Sequence, residues 1–203
     1  MAVLEAKRQS INTPFGGGLE EPEPYAAEDI EALLREYPDL RIELSSKGEL
    51  SIMPPTMTKS GIRNARLTGR LMIWSDEAAL GETFDSSTLF LLPNGALRSP
   101  DASWIQKARW EALTEEEKDD FAPICPDFVA ELRSKSDRLS SLQSKLREYI
   151  SCGAKLGWLI DPVIRRVEIY RPNQDVEVLD NPTSISGEPE LLGFVLNLKG
   201  ILD

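Results

Sequence analysis

Histidine is absent from all 203 residues. Its absence excludes Ser-His-Asp and Cys-His nucleophiles, HExxH zinc sites and any nuclease with a histidine base. Acid-base work would have to come from Asp, Glu, Lys, Arg, Tyr or Ser. Cysteine is nearly absent too: Cys125 and Cys152 form no CxxC, and two thiols cannot complete a four-coordinate structural zinc. No apolar run approaches the roughly 18 residues that span a bilayer. The start, MAVLEAKRQS, has no apolar leader segment. These features predict a reducing, cytoplasmic setting and no membrane. Basic charge is scarce, with 23 Lys and Arg against 34 Asp and Glu, a net charge of −11 and a pI near 4.7. A generic nucleic-acid coat protein would be basic. An enzyme that meets nucleic acid through a local basic patch is not excluded, because distribution matters more than total charge.

What is present fits one soluble domain, 41% hydrophobic and 28% charged. Residues 1–27 read as an extended arm, with INTPFGGGLEEPEPY rich in turn formers, and 28–203 as a single domain. EDIEALLREYP predicts a helix, with Ile30, Leu33, Leu34 and Tyr37 at helical spacing and Pro38 as its stop. Alternating Leu40, Ile42 and Leu44, a turn at SSKG, then Leu50 and Ile52 predict a hairpin. Ser60 to Ala79 predicts a second helix, on which Arg63, Arg66 and Arg70 share a face. TFDSSTLFLLPNG and ALRSPDASWIQ each predict a strand, and RWEALTEEEKDDF one exposed acidic helix. PDFVAELRS predicts a strand. DRLSSLQSKLREYISCG then predicts the clearest helix, with Leu139, Leu142, Leu146 and Ile150 as its apolar stripe. LGWLIDP, RRVEIYRP and DVEVLD follow as strands. The order predicts a mixed α/β domain, a central sheet with helices packed on it.

Two acids in strand-like runs form the first candidate site. Asp101 follows Pro100, and Glu131 sits inside the apolar run FVAEL, where an unpaired carboxylate is costly. On neighbouring strands they could share Mg²⁺ or Mn²⁺, hard cations that take a few carboxylates and keep several waters. The alternative is an ion pair of Glu131 with Arg133 or Arg98. Residues two apart on a strand share a face, so Arg133 projects with Glu131. Lys145, at the edge of the apolar stripe, could reach Glu131 and stabilise charge there; the alternative is a lysine lying over the core edge.

The joint pattern of PD at Pro100-Asp101, PDFVAELRS, KLREY and GWLIDP resembles the Uma-type family of restriction endonucleases, within the PD-(D/E)xK nuclease superfamily. FDSSTLFLLPNGALRSPDASWI, RWEALTEEE and the later IYRP fit the same pattern, so the resemblance runs from about Arg41 to the C-terminus. It implies a restriction-endonuclease-like core, a metal site at Asp101 and Glu131, DNA as substrate, and a homodimer. The superfamily lysine two residues after the acid is replaced here by Arg133, and the resemblance suggests that Lys145 supplies the ammonium. Arginine does not lose its proton at working pH, so it cannot act as a base. Glu43 is a candidate further acid, with an exposed strand carboxylate as the alternative. SKSD reads as a turn capping the next helix through Ser136 or Asp137, and Tyr149 as a core residue. Arg63, Arg66 and Arg70, with Lys59, could touch a nucleic-acid backbone, or form a solvated helix face.

The expectation is a metal-dependent endonuclease acting on DNA through Asp101, Glu131 and Lys145. Two alternatives stay open: a catalytically inactive binding or assembly module of the same fold, and an enzyme acting on a small phosphorylated substrate.

Overall fold

The computed structural model describes Tyr25 and residues 27–37, 41–53 and 55–203. The expected arm therefore lies outside the described residues except for Tyr25 and Ala27, as do Pro38 and Leu40. Helix α1 (Ala27–Glu36) precedes the hairpin β1 (Ile42–Leu44) and β2 (Leu50–Ile52). The long helix α2 (Thr58–Ala78) leads to β3 (Gly81–Asp85), β4 (Phe90–Leu91), β5 (Leu97–Arg98) and β6 (Ala102–Gln106). Two short helices, α3 (Lys107–Glu111) and α4 (Glu115–Lys118), precede β7 (Phe128–Leu132), α5 (Leu139–Ser151) and β8 (Leu156–Asp161). The chain continues through β9 (Arg166–Tyr170), β10 (Glu177–Asp180), β11 (Ser184–Ser186) and β12 (Val195–Asn197).

Among the described residues the strands form three sheets, in the orders β10-β9-β8-β7-β6-β3, β2-β1-β5-β4 and β11-β12. The expected mixed central sheet flanked by helices is present. Strand β7 runs antiparallel to β6 and parallel to β8. A parallel neighbour requires a crossover, and α5 provides it. Alternation along the central strands builds two cores. Phe128, Ala130, Leu132, Trp158 and Ile160 face α2 and the C-terminal segment. Val129, Ile105 and Leu159 face α5 with Leu146 and Tyr149. Glu131 shares the parity of Val129 and so joins the α5 face. Gly157 lets α5 close on the sheet: a Cβ there would lie 2.7 Å from a Leu146 methyl. A third cluster ties Ile30 and Leu33 of α1 to Ile42, Leu44 and Leu97 of the small sheet.

Three expected elements prove to be two each. TFDSSTLFLLPNG splits into β3 and β4 in different sheets, because the Asp85 carboxylate accepts from the Ser87 amide and hydroxyl and turns the chain. ALRSPDASWIQ splits into β5 and β6 at Ser99-Pro100, where proline has no N–H and the Ser99 amide is committed to Glu43. The acidic insertion forms α3 and α4, since Thr114 starts a new helix with a capping box to Glu117. The expected N-cap at Ser136 or Asp137 falls one step later, at Arg138, which gives no side-chain cap. Asp137 instead reaches back to the Ser134 amide at 2.7 Å. No helix among the described residues is long and apolar enough to cross a membrane.

Candidate active site

Register brings the two acids together. Ala102 opposes Ala130 across the β6 and β7 pair, so one further step sets Asp101 level with Glu131. Asp101 lies just before β6, where its Oδ2 accepts from the Leu132 amide at 2.7 Å and its Oδ1 from Asn64 Nδ2 at 2.9 Å. Glu131 is 3% exposed and sits mid-sheet under α5. Lys145 and Tyr149 are one helical turn apart on α5, so both project to the same place. Lys145 Nζ lies 2.9 Å from Glu131 Oε1, and the Tyr149 hydroxyl donates to the same oxygen at 3.2 Å.

The small sheet adds a third carboxylate. Glu43 on β1 is 6% exposed, not a surface acid, and its Oε1 lies 2.7 Å from Lys145 Nζ. It also accepts from the Ser99 amide at 2.9 Å and faces Arg98 at 3.4 Å. Arg98 in turn holds Glu148 at 2.6 Å. Lys145 is thus the bridge between the two sheets, one ammonium clasped by Glu43 and Glu131.

Burial decides the electrostatics. It pushes the Glu131 carboxyl up to about 8, against the pull of Lys145 and with the support of Asp101 and Glu43. Burial raises Asp101 as well, although the Leu132 amide and Asn64 oppose it. Burial works against Glu43, but Lys145, the Ser99 amide and Arg98 together hold it below the usual carboxylate range. Desolvation alone would lower Lys145, yet Glu131 and Glu43 more than reverse it and the ammonium is raised. Tyr149 is raised by burial and by the neighbouring carboxylates.

The donor set suits a hard divalent cation. Three carboxylates around one ammonium leave an excess of buried acid, and the raised Asp101 and Glu131 register that excess. All the side-chain donors are oxygens, the chemistry Mg²⁺ and Mn²⁺ prefer. Among the described residues no three His, Cys, Asp or Glu side chains converge as a ready-made ligand cage. The fit is therefore that of two carboxylates completed by water and substrate oxygens.

Glu43, Asp101, Glu131 and Lys145 line a cleft of about 1400 Å³. Its wall includes Arg41, Lys47, Lys59, Arg63 and Lys135, all at least partly exposed. A chain of net charge −11 thus sets basic side chains, beside Glu49, Asp137 and Glu148, around this buried acidic cluster. Arg133 also lines the cleft, but its Nη1 lies 2.7 Å from Asp161 and its Nε donates to the Asp137 carbonyl. It braces the turn between β7 and α5. Arg66 and Arg70 turn away: they donate to carbonyls of Gly200, Asn197 and Lys199. Arg63 donates to the Asp203 carbonyl and also borders the cleft. Asn64 and the hydroxyl of Tyr149 were not expected at the site. Helical spacing carried a signal for each, since Tyr149 follows Lys145 by four residues and Asn64 precedes Leu67 and Leu71 on the inner face of α2.

A mixed sheet with carboxylates and an ammonium meeting at the end of its central strands defines a restriction-endonuclease-like α/β protein. Residues 27–199 match the Uma2 family model, described as "Putative restriction endonuclease", and the chain belongs to that family. Among solved structures it is similar to one titled as a "putative nuclease belonging to DUF820" from Anabaena variabilis ATCC 29413. The two share 22% identity and a TM-score of 0.67, over 79% of this chain and 89% of that one, a likeness of fold. No curated protein matches.

Proposed function

We propose that this chain is a Mg²⁺- or Mn²⁺-dependent endonuclease that hydrolyses phosphodiester bonds in DNA. The observation that supports it most is the cluster of Asp101, Glu131 and Glu43 around Lys145, set in a cleft edged by basic side chains. Asp101 and Glu131 would hold the metal. When bound, it supplies Lewis acidity and a more acidic water. Lys145 is a donor and not a base, because its raised pKa keeps the ammonium charged at any working pH. An ammonium has three protons; Glu43 and Glu131 take two, leaving the third for a phosphoryl oxygen or the attacking water. Glu43 and Tyr149 fix that ammonium and the Glu131 carboxyl in place.

The four cations Arg41, Lys47, Lys59 and Lys135 in the cleft's lining favour an extended polyanion over a small phosphorylated substrate. Phosphate contacts of this kind position a backbone without reading sequence. The arginine at 133 does not count against activity, because Lys145 already brings an ammonium to Glu131.

The test is Mn²⁺ calorimetry on the wild type, Asp101→Asn and Glu131→Gln, with folding followed by circular dichroism, beside a plasmid nicking assay. Micromolar binding that both variants lose, with Mn²⁺-dependent nicking lost in step and in Lys145→Met, is the expected result. Binding unchanged in folded Glu131→Gln, or no nicking and no Mn²⁺ binding even with duplex present, overturns the reading in favour of an inactive binding module.

A further inference from the structure

Asn64 has one end of its amide in use and the other left over. It precedes the buried Leu67 and Leu71 by three and seven residues on α2, so its side chain projects with theirs toward the sheet. Its Nδ2 donates to Asp101 Oδ1 at 2.9 Å. An ionised carboxylate only accepts, so this pairing decides which end of the amide faces Asp101. The other end, Oδ1, is buried and has no hydrogen-bond partner among the described residues. A buried acceptor without a donor costs free energy, and in a native fold it calls for an explanation. Of the buried side-chain atoms left without a hydrogen bond among the described residues, only this one belongs to a residue that lines the cleft.

The framework around this amide is fixed. On either side of Asn64, Arg63 donates to the Asp203 carbonyl and Arg66 to the Gly200 carbonyl, while Leu67 and Leu71 are fully buried. Asp101 is held from its other oxygen by the Leu132 amide at 2.7 Å. Locked partners of this kind are what a precise site requires. Glu131 is also closed off, at 3% exposure, so an ion that reaches the two acids enters beside this amide. A hard divalent ion held by two carboxylates keeps several waters. Their lone pairs go to the ion, which leaves them as donors in need of acceptors. The Asn64 carbonyl oxygen is such an acceptor, and it adds no charge to a cluster that already holds three carboxylates.

We infer that Asn64 is the neutral member of the ion site, a positioning residue whose Nδ2 orients Asp101 and whose Oδ1 takes a water of the ion's shell; this rests on the reading of Asp101 and Glu131 as the metal ligands. Arg63 and Arg66 then have a part in the site without touching it, since they hold the helix that presents Asn64.

The test is Mn²⁺ calorimetry, with urea unfolding in the presence and absence of Mn²⁺, on the full chain as wild type, Asn64→Leu and Asn64→Asp. Leucine is close to the amide in size and offers neither donor nor acceptor. Aspartate keeps an oxygen in place of Oδ1 and gives up the donor. Folded Asn64→Leu should bind Mn²⁺ at least about tenfold more weakly than wild type, the scale on which groups behind the ligands act. Mn²⁺ should also raise its urea midpoint less, and the paramagnetic resonance spectrum of the bound Mn²⁺ should change. Asn64→Asp should bind Mn²⁺ at least as tightly as wild type, yet unfold at lower urea without the ion, because two carboxylates then face each other. Asn64→Ala, which adds no bulk, carries the same expectation as Asn64→Leu should the leucine variant not fold. Unchanged Mn²⁺ affinity in folded Asn64→Leu or Asn64→Ala, with stability lowered equally with and without the ion, would leave Asn64 a role in the fold alone. Asn64→Asp losing as much affinity as Asn64→Leu would confine its role to Nδ2. Either result overturns this inference and leaves the metal reading standing. Wild type that binds no Mn²⁺, with or without duplex DNA, overturns both.

Discussion

Lys145→Met removes the one ammonium that Glu43 and Glu131 share while keeping most of the aliphatic stem. Both carboxylates are nearly inaccessible, at 6% and 3% exposure. Breaking a buried ion pair by deleting one partner costs about 3–5 kcal/mol. Arg98 and the Ser99 amide still serve Glu43, and Tyr149 still serves Glu131, which argues for the lower end at neutral pH. For a chain of this size, 3 kcal/mol is a fall in Tm of about 6–12 °C.

The pH dependence is the sharper part. In the wild type, Glu131 has a folded pKa near 8, above its unfolded value, so its contribution is full below about pH 4.5 and is lost as pH rises through 8. Glu43 has the opposite sign: its pKa is lowered, so its contribution is present above the unfolded value and is lost in acid. Without Lys145, Glu43 loses the attraction that keeps it ionised, and burial pushes it upward. It then behaves as Glu131 does. One additional group that is protonated when folded and ionised when unfolded costs about 1.4 kcal/mol per pH unit. The stability gap between wild type and Lys145→Met should therefore widen from pH 5.5 to pH 8, by on the order of 1.4 kcal/mol per unit until Glu43 ionises. Urea unfolding followed by fluorescence at several pH values measures it, with Lys145→Arg as the charge-retaining control. A gap that stays constant or narrows as pH rises would refute the account of two carboxylates sharing one cation.

Three further outcomes follow from other contacts. Arg133→Met leaves Asp161, 2% exposed, without its guanidinium and should destabilise the fold by about 3–5 kcal/mol, read as a lower urea midpoint. Cys152 should react with a disulfide reagent well before Cys125, because burial pushes the Cys125 thiol up to about 12 and it is almost inaccessible, so Cys125 should label only on unfolding. Arg70→Ala removes the side chain that gathers the Asn197 and Lys199 carbonyls, and hydrogen exchange over residues 195–203 should quicken at least tenfold while β7 and β8 stay protected.

Much of this arrangement was legible because two periodicities carry it. Period two put Glu131 and Arg133 on one sheet face, and helical spacing put Lys145 at the edge of the apolar stripe that carries the buried Leu146. An acid inside FVAEL marked itself by its cost. What stayed hidden was long-range. The break at Ser99-Pro100 depends on the Ser99 amide turning to Glu43, far upstream, and that partner exists only once the two sheets meet. The arginines of α2 share a face, but the carbonyls that Arg66 and Arg70 find come from the far end of the chain. Local pattern shows that a cation is available; it does not show which acceptors the fold brings to it.

Position 133 shows how topology decides what a cation at the end of a strand meets. A lysine two residues after the strand acid would project from the end of β7, where a strand residue reaches only what lies beside that end. Here Asp161 of β8 lies beside the end of β7, a carboxylate 2% exposed that also accepts from the Val163 amide at 2.9 Å. The planar guanidinium of Arg133 satisfies Asp161 and the Asp137 carbonyl together, which a point-like ammonium does less well. The crossover helix then supplies the cation for Glu131. β7 and β8 are parallel and need a crossover, and here α5 makes it over the sheet face that Glu131 occupies, so that Lys145 reaches the acid. Arginine at 133 and lysine at 145 are in this way one arrangement, the first closing the turn that launches α5 and the second using the path that α5 takes.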